Sequence, residues 1–389
     1  MSEWKKVKLG DVVTIKSGLS YKSEYLGKGD YLLLGMGCVS YKERFVDSGA
    51  RPYSQDCDPR YYAAPGDIVL ATRQQSNNLP ILAMPAIIPE KYQGKKIIIG
   101  TNLYKVENNS DIDNRFLFWV LKGSDYVNYI RGVKTGTTVQ MVSKRNVEEY
   151  QFLCPPKQER ERIVSILSRY DTLIENYQKQ IKLLEEAAQR LYKEWFVDLR
   201  FPGYENVKMV DGLPEGWERK KVGEMIEKIQ RTKQVPANNY QTVGSIPIID
   251  QSKDYIAGYT DDEECMVKVT VPYIVFGDHT RVLKYIPFSF AKGADGTQLI
   301  MSNDLRRMPQ SLFYNSLIAI DLSNYSYARH FKYLKEEEIL VPAADIALKY
   351  NELAAKCYSS IKNSRDQIRL LTEARDRLLP RLMGGEINV

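Results

Sequence analysis

Histidine is nearly absent from this chain: there are two in 389 residues, His279 and His330. Triads built on imidazole and His-rich metal sites have almost nothing to draw on. Cysteine is thin as well. The five residues Cys38, Cys57, Cys154, Cys265 and Cys357 are odd in number, form no CxxC and have no histidine close by in sequence. That argues against zinc and against a disulfide framework, and it points to a reducing compartment. No apolar run approaches the ~20 residues a membrane-spanning helix needs. The N-terminus MSEWKKVKLG lacks the apolar stretch of a signal peptide. A soluble, cytoplasmic protein with no membrane partner is expected. A GxxxxGK[ST] phosphate loop is missing too. Gly35-Met36-Gly37 follows a strand-like run, but no third glycine and no helix signal come after it.

What is present is a repeat. Residues 181–191 read IKLLEEAAQRL and residues 368–378 read IRLLTEARDRL. The ungapped offset that sets Ile181 on Ile368 also sets Pro155 of FLCPP on Pro342 of ILVPA. A second echo opens each half: Trp4-x-x-x-Lys8-Leu9-Gly10-Asp11 is matched by Trp217-x-x-x-Lys221-Val222-Gly223-Glu224. The chain is therefore one plan written twice, a mixed globular segment, a Pro-terminated strand and a long helix. A hydrophobic content of 43% suffices for packed cores. The formal charge of +6 permits a polyanion partner without demanding one.

Both helices carry a heptad stripe. In the first, Ile163, Leu167, Tyr170, Ile174, Tyr177, Ile181, Leu184, Ala188, Leu191 and Trp195 alternate steps of four and three. In the second, the same offset gives Tyr350, Ala354, Cys357, Ile361, Ser364, Ile368, Leu371, Arg375, Leu378 and Leu382, a weaker stripe that contains a serine and an arginine. At 1.5 Å per residue the first stripe is about 48 Å long. Ordinary amphipathic core helices run roughly 8–20 residues. A stripe of this length needs a partner of similar length, and the other copy is the nearest candidate.

Around the helices the chain divides into 1–156, a helix over 157–198, 199–342 with a Pro/Gly-rich linker at 199–216, and a second helix over 343–389. YLLLG, GDIVLAT and KKIIIGTNLYKV read as strands, and RFLFWVLKGSDYVNYI reads as one internal helix. GVKTGTTVQ is a Gly/Thr-rich loop. In the second half SIPIID and VTVPYIVFGDHTRVLKYIPFSF are β-rich, and SLFYNSLIAIDL is helical. The last helix is expected to stop between Pro380 and Gly385. The frames agree and the fillings differ, so the two segments should bind two different things.

No catalytic set stands out. Cys154-Pro155-Pro156-Lys157 has the proline pair of amino-methyltransferases. It lacks both the Asp or Asn before that pair and the aromatic after it, and reads as a strand end. His279 beside Asp278 has little to support it as a base. Neither a metal site nor a cofactor site is expected in this chain. The remaining chemistry is binding chemistry on loops. ATRQQSNNLP gathers Arg73, Gln74, Gln75, Asn77 and Asn78, residue types that read guanine and adenine by paired hydrogen bonds; a solvated polar loop is the competing reading. RGVKTGTTVQ offers Arg131, Lys134, Thr135 and Thr137 to phosphate oxygens, or simply builds a turn. GDHTRVLKY sets Asp278, His279, Thr280 and Arg281 after an apolar strand, and AKGADGTQ carries Lys292, Asp295 and Gln298.

At these residues the chain resembles the DNA specificity subunit of type I restriction–modification enzymes. The likeness rests on the W-x-x-x-K-[LV]-G-[DE] openings, on GTTVQMVSKRNVEEYQFLCPPKQERERI, on GDHTRVLKYI and RHFKYLKEEEILVP, and on the doubled helices. It implies an α+β fold with a pseudo-two-fold internal repeat. Two target recognition domains would be held apart by an antiparallel coiled coil. Its seam would include Ile163, Leu167, Ile174, Ile181, Leu184, Leu191, Ile361, Ile368, Leu371 and Leu378. Each domain would read one half of a split site in double-stranded DNA of a prokaryotic cytoplasm. The DNA-facing loops carry over to Arg73 through Asn78 and to Asp278 through Arg281. The chain itself would catalyse nothing and hold no cofactor. It would dock two methyltransferase subunits, and through them restriction subunits, and those partners would use S-adenosylmethionine, ATP and Mg. Two other readings compete. A coiled-coil scaffold without DNA readout would show no gel shift, and a catalytic restriction–methylation fusion would modify DNA alone.

Overall fold

A computed structural model describes residues 4–41, 43–74, 81–229, 232–325 and 329–387. Gln75, Asn77 and Asn78 lie outside the described residues. The chain forms two compact units. One comprises Met1–Leu173 with Leu370–Val389, and the other comprises Ile174–Arg369.

In the first unit, short helices α1 (Leu9–Val12), α2 (Asn114–Lys122), α3 (Ser124–Val133) and α4 (Lys144–Glu148) surround two sheets. One sheet orders its strands 13–17, 103–108, 68–71, 85–87, and the other 50–53, 26–34, 96–99, 62–63. Strand Ile68–Ala71 is buried throughout. Its period of two sends Ile68 and Leu70 into the core beneath α2, and Val69 and Ala71 into the core between the sheets. Ile97 and Ile99 join that middle core, while Ile98 faces a third. KKIIIGTNLYKV is thus two strands in two different sheets. The run 115–130 is not one helix but two. Gly123 adopts an extended conformation and caps α2 through its N–H to the Val120 carbonyl.

The first long helix, α5 (Lys157–Tyr192), ends in a π-helical turn over Lys193–Val197. The wider turn lets both Trp195 and Phe196 face inward, against Tyr350. The second unit's body contains α6 (Gln310–Ile318) and α7 (His330–Glu336). Its three-stranded sheet, 283–286, 273–277, 297–300, again separates two cores. Ile274 and Phe276 pack with Leu312, Phe313 and Leu317 of α6, while Val275 joins Ile249 and Phe290 on the other face.

The second long helix is α8 (Ala344–Met383). It ends at Met383, within the expected stretch from Pro380 to Gly385, with Pro380 inside its last turn. Pro380 removes one backbone donor near the end of the helix, where burial of Leu379 and Leu382 holds the turn. Gly385, in the left-handed region at φ 72°, then ends the run. Every stripe position of both helices is buried or half-buried. Within the first unit Ile163 and Leu167 share a core with Leu379 and Leu382, and Asp171 meets Arg375. Within the second unit Gln180 meets Ser364, Glu185 meets Arg365, and the Ala188 carbonyl accepts from Tyr350. In both, numbers rise along α5 as they fall along α8, so the helices pair antiparallel.

The two opening motifs build the same frame. Strand 5–8 pairs with 151–154 so that Lys5 faces Cys154, and strand 218–221 pairs with 338–341 so that Glu218 faces Val341. Leu9 N donates to Tyr150 O at 2.8 Å, and its counterpart Val222 N donates to Glu337 O at 2.8 Å. The glycine that follows sits in a close approach. A Cβ on Gly10 would lie 3.0 Å from Glu148 Cβ, and one on Gly223 would lie 3.1 Å from Lys335 O.

Candidate nucleic-acid interface

In the first unit two loops distant in sequence meet. Arg73–Gln74 pairs antiparallel with Gln140–Met141, and Thr135 bridges to Met141. Gln74 is buried. Its Oε1 accepts from Ile81 N and Leu82 N, and its Nε2 donates to Gln140 Oε1 at 2.7 Å. Lys134 Nζ donates to the same Gln140 oxygen at 3.0 Å. Gln74 is therefore a clip at the base of the loop rather than a side chain offered to a ligand. Arg73 is half-buried, and among the described residues its Nε finds no hydrogen-bond partner. A buried guanidinium nitrogen left unpaired is a costly arrangement, and an incoming acceptor relieves it. Gly136, at φ 87°, makes the turn that brings Thr135 back to Met141. A cavity of about 260 Å³ opens between Gln74, Leu82, Met84, Ile130, Arg131 and Lys134.

In the second unit the turn Asp278–Arg281 closes the hairpin of strands 273–277 and 283–286. Asp278 is buried and points inward. Its Oδ1 accepts from Phe331 N and its carbonyl from His330 N, which satisfies donors at the start of α7. Thr280 Oγ1 donates to the Gln251 carbonyl at 2.6 Å. Arg281, at φ 61°, donates from Nη1 to the Leu322 carbonyl. His279 is exposed, and its ring has no hydrogen bond among the described residues. Lys292 is half-buried on strand 290–293 of a separate sheet, and burial pulls its pKa down. No hydrogen bond or ion pair of its ammonium is found among the described residues, a state that favours an anion.

Sequence reasoning therefore brought together Arg73, Lys134 and Thr135 in one unit and the turn 278–281 in the other. Gln74 and Asp278 turn out to be committed to the scaffold. It missed Gln140 and Gln251, which join the loops, and Lys284, which is 4% exposed. Lys284 Nζ donates to the Asp250 and Asp254 carbonyls, and burial pushes its pKa down to about 8. Nothing local marks these residues, because each acts on a segment far away in sequence. Among the described residues no cluster of His, Cys, Asp or Glu is arranged to hold a metal ion. No helix among them is long and apolar enough to cross a membrane.

The comparisons with known proteins converge on the same frame. The family described as the type I restriction modification DNA specificity domain matches residues 1–186. The specificity subunit of the type I restriction enzyme MjaIX from Methanocaldococcus jannaschii is 24% identical over all of this chain and 94% of its own length. Over its whole length the chain is similar to the type I restriction–modification specificity subunits. A second M. jannaschii specificity subunit, that of MjaVIII, is 31% identical over 36% of this chain and 32% of its own length. The S subunit of a type I system from M. genitalium shares the fold at a TM-score of 0.55 and 15% identity, over 98% of this chain and 96% of that one. Specificity subunits are the non-catalytic, DNA-recognition component of their enzymes.

Proposed function

We propose that this specificity subunit reads a split site in double-stranded DNA, one half with each unit. The observation that carries this reading is the repeated frame with unlike fillings. Residues 4–11 and 217–224 build the same strand pair and the same glycine contact. That frame carries Arg73, Lys134 and Thr135 in one unit and His279, Thr280, Arg281 and Lys292 in the other. Two modules of one construction with different polar surfaces suit two different short sequences. Arg73 and His279 are candidates for base edges. Lys134, Thr135 and Lys292 are better suited to phosphates. The paired helices α5 and α8 act as the spacer between the half-sites. The subunit docks two methyltransferase subunits, which use S-adenosylmethionine, and through them restriction subunits that use ATP and Mg. This assembly works in the cytoplasm of a prokaryote.

The test is methylation mapping with the partner subunits present, beside a gel shift of the chain alone at two salt concentrations. A split methylated motif is expected, with binding that weakens steeply with salt as phosphate contacts release counterions. Methylation without a split motif, or binding insensitive to salt, would refute the reading.

A further inference from the structure

We propose that Gln251 is the positioning residue of the second unit's reading surface, and that His279 is the side chain it presents to a base edge. This rests on the reading of that unit as a half-site reader. Of the four residues in the turn, Asp278 faces inward onto α7, Thr280 spends its hydroxyl hydrogen on Gln251 O, and Arg281 is tied to Leu322 O. His279 remains, exposed and with its ring unbonded among the described residues. Imidazole offers both a donor and an acceptor nitrogen, and base edges in the major groove present complementary groups.

The Gln251 amide fixes where that ring stands. Its Oε1 accepts from His279 N at 3.1 Å, and its Nε2 donates to Asp295 O at 3.0 Å. One side chain thereby joins the turn at 278–281 to the turn at 295–296. The fit is tight: a Cβ on Gly296 would lie 2.7 Å from His279 Cδ2 and 2.8 Å from each Gln251 amide atom. Gly296 also sits at φ 71°, which side-chain-bearing residues adopt at a cost. Gln251 is itself held. Asp250 Oδ1 accepts from Ser252 N and Oγ, and buried Lys284 grips the Asp250 carbonyl at 2.8 Å. A line of support thus runs from Lys284 through Asp250 and Gln251 to the backbone of His279. Recognition by a single exposed side chain depends on such support.

The experiment selects binding sites for the full chain from a random duplex library. Four proteins are compared: the natural chain, Gln251→Met, Gln251→Glu and His279→Ala. Gln251→Met removes both hydrogen bonds of the side-chain amide. Gln251→Glu keeps the acceptor for His279 N and sets a carboxylate against Asp295 O, so it should fall between Met and the natural chain. The expected result is a motif in which one half is blurred, with about a tenfold loss of preference over a single mismatch. His279→Ala should blur the same half, and the other half serves as the internal control. An unchanged motif from Gln251→Met overturns the positioning role. Equal blurring of both halves also overturns it, because it marks a general loss of folding. If the natural chain selects no split motif, the half-site reading falls and takes this inference with it.

Discussion

Replacing Arg375 with leucine should weaken the first unit and leave the second untouched. Arg375 places a charge in the stripe of the second helix, and its guanidinium meets Asp171 at 3.0 Å with side-chain exposures of 5% and 2%. Arg44 Nε approaches the other Asp171 oxygen at 3.5 Å, and the Arg375 guanidinium also lies over Trp119. Burial pushes the Asp171 carboxyl upward in pKa against the pull of these cations. Removing one partner of a buried pair leaves the other charge stranded and costs about 3–5 kcal/mol. Arg44 remains beside Asp171, so the low end, about 3 kcal/mol, is expected. Each 1.4 kcal/mol is tenfold, so amide exchange in residues 157–173 and 370–383 should quicken by roughly 150-fold. Exchange in 174–192 and 344–369 should not change. The double variant Asp171→Leu, Arg375→Leu removes both charges and should recover most of the loss, since apolar replacement of a buried pair is often neutral or stabilising. A single-variant cost below about 1 kcal/mol, or a double variant as damaged as the sum of the singles, would refute the reasoning.

Three further outcomes are expected. Lys284, with its pKa pushed down to about 8, has released its proton between pH 8 and about 10 while the unfolded chain still holds one. Its contribution to stability therefore rises with pH across that window, and thermal melting of Lys284→Met should show a smaller rise than the natural chain. Arg73→Ala should relax one half-site by about 1–3 kcal/mol if the residue is bidentate to guanine, whereas Lys134→Ala should weaken all duplexes alike and lower the salt slope by about one; competition binding separates the two patterns. Inserting four residues in both long helices adds about 6 Å, and at about 3.4 Å per base pair the methylated motif should gain one or two spacer pairs with both halves unchanged. An unchanged spacer with full activity would show that the helices are not the ruler.

The sequence by itself determined the doubled plan. Heptad spacing in 163–195 and its echo in 350–382 is a local, periodic signal, and every position it named is buried or half-buried. The paired openings at Trp4 and Trp217 were equally legible, because each sets a glycine at a step where the backbone passes close to its neighbour. Strand content was readable from β-branched runs, but not which core each face enters. Ile97 and Ile98 go to different cores because the other sheet packs on one side of their strand and the segments 19–25 and 57–61 cover the other. Only tertiary structure decided the rest. Arg375 looked like a flaw in a seam until Asp171, far away in sequence, supplied its counter-charge. Asp278 and Gln74 looked like reading residues, since polar loop side chains all look alike in sequence. Their burial, and the backbone donors they satisfy, depend on α7 and on residues 81–82 arriving beside them. Gln251 and Lys284 carried no local sign at all. A hydrogen bond across a fold is specified by the packing that brings its ends together, and that information is held by the whole chain.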